Sequence, residues 1–442
     1  MSQAQAQQPV PTATAPAPPA TAVVPASPTA APATTPGATT GAPQSGMDTP
    51  SRLRLLSLGV VVLGVVTGLV GALVFSALAY SLARARADTD QLVRVQQIQT
   101  NLLIADATAT NAFLVGGLEP AAQRAQYDSA LTTTSALITQ AADAQPADAD
   151  TLAALNQQVL DYAGAIEQAR ANNRQGLPIG SQYLRSAGAQ LRSEALPIAD
   201  NLVSANAERA EDRMKTWIGL VFVIFAALAL AALVVGQVWL ARRFRRTFNR
   251  GMLAASVLLL VLLVGGIALL VNLNTSVDTI RSRSFTAVNL AAGARIEASN
   301  AKSNESLTLI ARGSGAAFET AWKNSTANVT DNLKRLGSAG PTSAWNSYLQ
   351  VHSQIRKLDD GGDWDGAVAL ATGAGEKSAN TVFNAFDAQL ADVLDRSTAE
   401  AAAGLSGRQP GLIAAAVLAL LGGLGVALLA RSGVAARLKE YR

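Results

Sequence analysis

One histidine and no cysteine in 442 residues set the first limit on the chemistry open to this chain. Without cysteine there is no disulfide, thiol nucleophile or cysteine-held zinc. His352 alone cannot build a multi-histidine metal site or pass protons to a second imidazole. It reads as an ordinary residue on a helix surface. These absences argue against most hydrolytic and redox chemistry, and the expectation is a protein that is not an enzyme, with no catalytic residue, cofactor or metal.

Three groups of residues remain that could bind something. Asp359-Asp360-Gly361-Gly362-Asp363-Trp364-Asp365-Gly366 concentrates carboxylates as a calcium loop does. It lacks the closing glutamate at EF-hand spacing, so a turn with an aspartate cap before Ala367 is the simpler reading. Arg124, Arg185 and Arg192 could grip a carboxylate between helices, since guanidinium is suited to bidentate contact. More often such arginines lie on solvated faces, or pair with Asp106, Glu119 or Glu194. The third group is Arg242-Arg243-Phe244-Arg245-Arg246-Thr247-Phe248-Asn249-Arg250. Phe244 and Phe248 lie four apart and share a face if the helix continues. This segment suits contact with anionic lipid or docking of a cytoplasmic partner. Nucleic acid is not expected, because the arginines sit tight against apolar runs.

Those apolar runs are the elements that position everything else. Apolar residues make up 49% of the chain, charged residues only 15%, and mean hydropathy is positive. Four stretches carry the excess: 55–83, 216–241, 251–277 and 409–430. Each exceeds the roughly 20 residues that cross about 30 Å of hydrocarbon. The second contains 14 Leu, Ile, Val and Phe residues and no charge, so its insertion is favoured by several kcal/mol, to an order of magnitude. The fourth is shorter and richer in glycine. Gly64 and Gly68 in the first run form a GxxxG motif suited to close helix contact. Transport coupled to ions would call for charged groups inside these runs, and there are none.

Charge asymmetry predicts orientation. Eleven basic residues and two acids, Asp48 and Glu440, fall before the first run, between the second and third, and after the fourth. The remaining 24 basic residues and 29 acids fall in the two long connections. The positive-inside rule then places both termini, the basic loop 242–250 and the basic tail 431–442 in the cytoplasm, and 84–215 and 278–408 outside the cell membrane. Residues 1–50, with 11 of the 17 prolines, read as a disordered Pro/Ala/Thr-rich cytoplasmic tail.

Both outer segments read as helix throughout. In the first, Gly116–Pro120, Gln145–Asp150 and Gly176–Pro178 break the pattern, and Pro197 predicts a kink in the last helix. In the second, the breaks are Gly313–Gly315, Gly337–Pro341 and Asp359–Gly366. Aligning Ala121–Tyr127 with Ala316–Trp322 gives an offset of 195 residues. The expected fold is therefore an all-α membrane protein: four transmembrane helices and two extracytoplasmic up-down four-helix-bundle domains from an internal duplication. The first and last helices of each bundle would continue the membrane pair.

Several stretches resemble actinobacterial four-span proteins of the GlnX type. They are Asp106–Pro120, which includes Phe113, Gly116, Gly117 and Glu119; Tyr183-Leu184-Arg185 followed by Leu196-Pro197; Glu305–Gly313; and Gly361–Val368, which includes Gly362, Asp363 and Asp365. The resemblance spans nearly all of 55–442 and contains no catalytic motif. It implies a membrane relay linking an extracytoplasmic amino-acid-binding lipoprotein, of the glutamine/glutamate/aspartate class, to a cytoplasmic serine/threonine kinase, protein kinase G, and so to 2-oxoglutarate and glutamate metabolism. The alternative is a chemoreceptor-like sensor that binds a small ligand directly in its outer helices. That reading lacks the long cytoplasmic coiled coil such receptors use.

Overall fold

The computed structural model describes residues 49–116, 118–244 and 249–438. The tail before Thr49, Gly117, the loop residues Arg245, Arg246, Thr247 and Phe248, and the last four residues lie outside the described residues. The described residues form one compact unit. Among the described residues there are helices and no strands. They are α1 (Thr49–Val115), α2 (Ala121–Ala144), α3 (Ala149–Arg174), α4 (Ile179–Gln190), α5 (Leu196–Arg213), α6 (Gly219–Phe244), α7 (Arg250–Thr279), α8 (Thr286–Ile310), α9 (Ala316–Leu336), α10 (Ala339–Asp360), α11 (Trp364–Thr372), α12 (Ala379–Ser406) and α13 (Gln409–Leu438).

Among the described residues four helices are long and apolar enough to cross a membrane, as expected of a multi-pass membrane protein. α1 runs unbroken for 67 residues, about 100 Å at 1.5 Å per residue. α7 joins α8 through a π-helical turn at Ile280–Phe285, so that 250–310 is a single rod. α12 passes into α13 with only Gly407 and Arg408 between them, and the Gly407 N–H still bonds the Ala403 carbonyl at 2.9 Å. The remaining junction differs from expectation, because α5 does not continue into α6. Met214–Ile218 interrupts the helix, and the N–H groups of Gly219, Leu220 and Val221 reach back only three residues. The Thr216 hydroxyl turns aside to the Asn274 carboxamide at 2.9 Å. A polar Lys-Thr at the end of an apolar run has a better solution in turning than in continuing the rod.

Three apolar cores hold the molecule together. One fills the space among the membrane helices, with Leu78, Phe222, Leu259 and Leu412 buried in it. The second lies under α8–α12, centred on Trp345, Tyr348 and Phe386. The third lies under α1–α5, centred on Tyr127, Tyr162 and Leu155. The connections fit their residues. Gly337 ends α9 in the left-handed region, φ 67°, and its N–H returns to the Leu333 carbonyl, where a β-carbon would be strained. Pro197 sits at the start of α5, just after a π-helical turn at Leu191–Ala195. Proline cannot donate to the carbonyl four residues back and crowds it. The extra residue of the π turn accommodates that, and helix resumes at once.

Gly64 and Gly68 face α13. A β-carbon on Gly423 of α13 would lie 2.6 Å from the Gly64 carbonyl oxygen and against the Gly68 backbone. The two chains touch backbone to backbone, the geometry that small residues permit between membrane helices. Gly423→Leu is expected to wedge α1 from α13 at a cost of about 1–3 kcal/mol or more. It would appear as a lower thermal midpoint of the detergent- or nanodisc-held protein, and an unchanged midpoint would contradict this contact.

Candidate functional site: a buried polar seam between α1 and α8

Outside the membrane span, α1 and α8 lie side by side and are polar where they meet. The Gln96 carboxamide donates to Asn289 at 2.9 Å, the Ser303 hydroxyl to Asp106 at 2.7 Å, and Asn111 approaches Ser306 at 3.4 Å. Partner numbers rise together along both helices, so the pair is parallel, and the partners are 193–197 residues apart in sequence.

Asp106 is the centre of this seam. It is fully buried. One carboxylate oxygen accepts from the Arg192 guanidinium at 2.6 Å and from Ser303, and the other faces the Tyr162 hydroxyl at 3.4 Å. Arg192 belongs to the π turn of Leu191–Ala195, which turns it toward α1. Gly188, one turn earlier, leaves room for the guanidinium, whose Nη1 donates to the Gly188 carbonyl at 2.8 Å. Three elements, α1, α8 and the α4–α5 junction, therefore converge on one carboxylate. Burial pushes the Tyr162 phenol well above its ordinary range, and the neighbouring Asp106 adds to the rise. Tyr162 thus stays a neutral hydrogen-bond donor.

A second polar group lies deeper in the later half. Lys302 donates to Glu305 at 2.7 Å; the other Glu305 oxygen meets His352 Nδ1 at 2.9 Å; His352 Nε2 lies 3.4 Å from Glu319. Glu319 in turn faces Arg356, which also holds Asp359 and Asp360. His352 is not a surface residue. It is buried and stacked on Trp322, with ring centroids 3.5 Å apart. Burial alone would raise the Glu305 carboxyl, but Lys302 and His352 outweigh it and hold it at about 2. Burial alone would lower His352, and the hydrogen bond to Glu305 together with the neighbouring Glu319 carboxylate reverses this and raises it. Burial opposes ionisation of Glu319 as well, yet His352 and Arg356 draw it below the ordinary carboxylate range.

The comparison that bears on function falls on the first of these regions. Residues 81–215 match the family model of the actinobacterial sensor domain. The matched stretch begins within α1, contains Asp106, Tyr162 and Arg192, and ends in the break before α6; it covers less than a third of the chain. It supports an actinobacterial sensor-type protein with a signalling role. No curated protein and no solved structure matches the chain.

Within residues 81–215, the three arginines singled out by sequence are not brought together. Arg192 reaches Asp106. Arg124 pairs with Asp128 and Glu167. Arg185 is exposed and bonds only Gln182 and the Ser181 carbonyl. A cleft of about 250 Å³ does form near Arg124, bordered by Phe113, Glu119, Arg170 and Arg174. Glu119 and Glu167 already occupy Arg170, at 2.9 and 2.7 Å. Gly116 terminates α1 at φ 72°, while Tyr183 and Pro197 are exposed.

The other marked residues are structural or at the membrane edge. Asp363 caps α11 by accepting from the Gly366 N–H at 2.9 Å, Gly362 takes φ 87°, and Asp365 is exposed. Asp363→Ala is expected to cost about 1 kcal/mol, the usual value of such a cap, read as a small fall in thermal midpoint with helix content unchanged. Among the described residues no cluster of three metal-ligating side chains forms. In the basic loop, Arg242 and Arg250 are exposed; Arg243 and Phe244 end α6; Arg245, Arg246 and Phe248 lie outside the described residues. Asn249 caps α7 and donates to the Gly433 carbonyl of α13 at 2.7 Å.

Lys302, Glu305 and His352, and the carboxamides Asn111, Gln123 and Asn380 treated below, were not legible as a site. Asn111 and Glu305 fall in the family-like stretches, and the other signal was the helix spanning Lys302–Thr308, which is polar at every position but Leu307. Such a helix normally reads as solvent-exposed, whereas this one is buried.

Proposed function

We propose that this chain is a transmembrane signalling adaptor. It relays extracellular amino-acid availability from a solute-binding lipoprotein to a cytoplasmic serine/threonine kinase. The partners come from the GlnX-type resemblance, and the match of 81–215 to a sensor domain supports the general role. The observation that carries the reading is the union of outer and membrane helices. α1, α7–α8 and α12–α13 each link the polar seam region to the membrane without a flexible joint. A small slide or rotation of packed helices outside is then felt inside.

In this reading both termini and 242–250 are cytoplasmic, and each outer region is a four-helix bundle produced by duplication. The 193–197 residue separation of α1–α8 partners favours duplication, since corresponding positions would meet across a pseudo-twofold axis. The basic loop serves both lipid anchoring and kinase docking.

A chain with no cysteine permits a direct test. Single cysteines at the exposed positions Asp150 and Gln350 should be labelled by an impermeant maleimide on intact cells, and one at Arg246 only after lysis. Cross-linking of the full-length chain in its membrane should recover a lipoprotein and a kinase. Phe244→Ser with Phe248→Ser should lose the kinase and keep membrane insertion. Labelling of position 246 from outside, or recovery of neither partner, would end this reading.

A further inference from the structure

A second cavity lies across the seam. Its volume is about 370 Å³, within the range of small-ligand sites. Its walls come from α1 and α2 on one side, and from α8, the α11–α12 connection and α12 on the other.

Five carboxamides lie in the lining: Asn111, Gln123, Gln126, Asn380 and Asn384. Asn111 Oδ1 accepts from two of them, Gln123 Nε2 and Asn380 Nδ2, each at 2.9 Å. These three side chains come from α1, α2 and α12. The double donation fixes the Gln123 amide, because reversing it would set two oxygens against each other. In that orientation Gln123 Oε1 is buried with no hydrogen-bond donor. A buried acceptor left without a partner is destabilising, and a ligand donor would relieve that. Lys302 supplies the complement. Its ammonium has three N–H groups, and Glu305 and the Ala371 carbonyl take two of them.

The formal charges at the cavity are already neutralised. Lys302 is paired with Glu305. Asp387 is held by Arg295 through two bonds of 2.7 and 2.9 Å. A charged ligand would find no free counter-ion, whereas a neutral group with donor and acceptor together would find both partners.

We propose that the cavity between the two halves binds a small uncharged solute of the carboxamide kind, donating to Gln123 Oε1 and accepting from Lys302. Such a solute touches both halves at once, so its binding would set how firmly they are held together. The proposal does not depend on the lipoprotein or the kinase, and its test contains neither.

The full-length chain in lipid nanodiscs is titrated calorimetrically with malonamide and succinamide, and with malonate and succinate as charged equivalents of the same lengths. At least one diamide should bind saturably and raise the thermal midpoint. Gln123→Leu should weaken that binding at least ten-fold. Asn384→Ala, at the exposed rim of the cavity, should weaken it several-fold and serves if Gln123→Leu does not fold. If neither diamide binds, if the dicarboxylates bind as tightly, or if the folded variants bind like the parent, the proposal is wrong.

Discussion

Arg192→Met should destabilise the outer region more than Asp106→Asn does, although the two residues share one ion pair. Asp106 is fully buried, whereas the Arg192 side chain keeps 30% of its surface exposed. Removing the arginine strands a carboxylate with only Ser303 and Tyr162 to stabilise it. Breaking a buried pair from that side costs about 3–5 kcal/mol. Removing the charge of Asp106 instead leaves a guanidinium that water can reach, and the asparagine oxygen can still accept from Ser303. The double variant should be more stable than Arg192→Met alone, because no buried charge then lacks a partner. Thermal and denaturant unfolding of the four proteins in one membrane mimetic would measure this. Equal losses for the two single variants would mean that Asp106 is not desolvated as described. The same variants bear on signalling, since Asp106 is where α1, α8 and the α4–α5 junction meet.

The pH profile of stability should carry the mark of the buried histidine. The imidazole of His352 is raised above its ordinary value by Glu305 and Glu319. Its contribution is therefore fully present below about pH 6.5, the unfolded value, and is lost as pH rises through the folded value. Glu305 behaves oppositely. It is held down at about 2, so its contribution is present above about pH 4.3 and is lost as pH falls toward 2. Glu319 follows it in direction. Lys302 faces Glu305 and Arg356 faces Glu319. The pair of limbs predicts greatest stability from about pH 4.5 to 6.5, with a decline on both sides. His352→Gln should remove the alkaline decline specifically. It should also lower overall stability, because Glu305 and Glu319 lose a cationic partner. The useful quantity is the difference between wild-type and variant thermal midpoints from pH 3 to 9, in which other groups cancel. A difference that does not vary with pH would rule out a charged imidazolium at this position.

The positions of the long rods were legible in the sequence for a plain reason. Apolar runs flanked by arginine have one low-energy solution in a bilayer, and breaks such as Gly313–Gly315 and Gly337 announce themselves through glycine. The break at Met214–Ile218 was not legible, because it contains neither glycine nor proline. It arises from where Thr216 finds a partner, on Asn274 of another helix. The polar seam was hidden for a related reason. Serine, threonine, asparagine and lysine along α8 resemble a solvated face, and only the approach of α1 converts that face to an interior. His352 was misread because its partners, Glu305 and Glu319, lie 47 and 33 residues away and no local spacing connects them. Asp106 stood out through the family-like stretch around it, yet nothing in that stretch pointed to Ser303.

The interruption between α5 and α6 leaves one membrane helix mechanically unlike the other three. Force applied to α1, α8 or α12 travels along continuous helix toward the apolar spans, while α5 reaches α6 only through a hydrogen-bonded turn at Met214–Ile218. A push along α5 is therefore not handed to α6 as along a single rod. Under the proposed relay, a shift of the α7–α8 rod that α6 does not share would be felt where the chain passes from one to the other, across the arginine-rich segment 242–250, which is where a strain gauge would be placed.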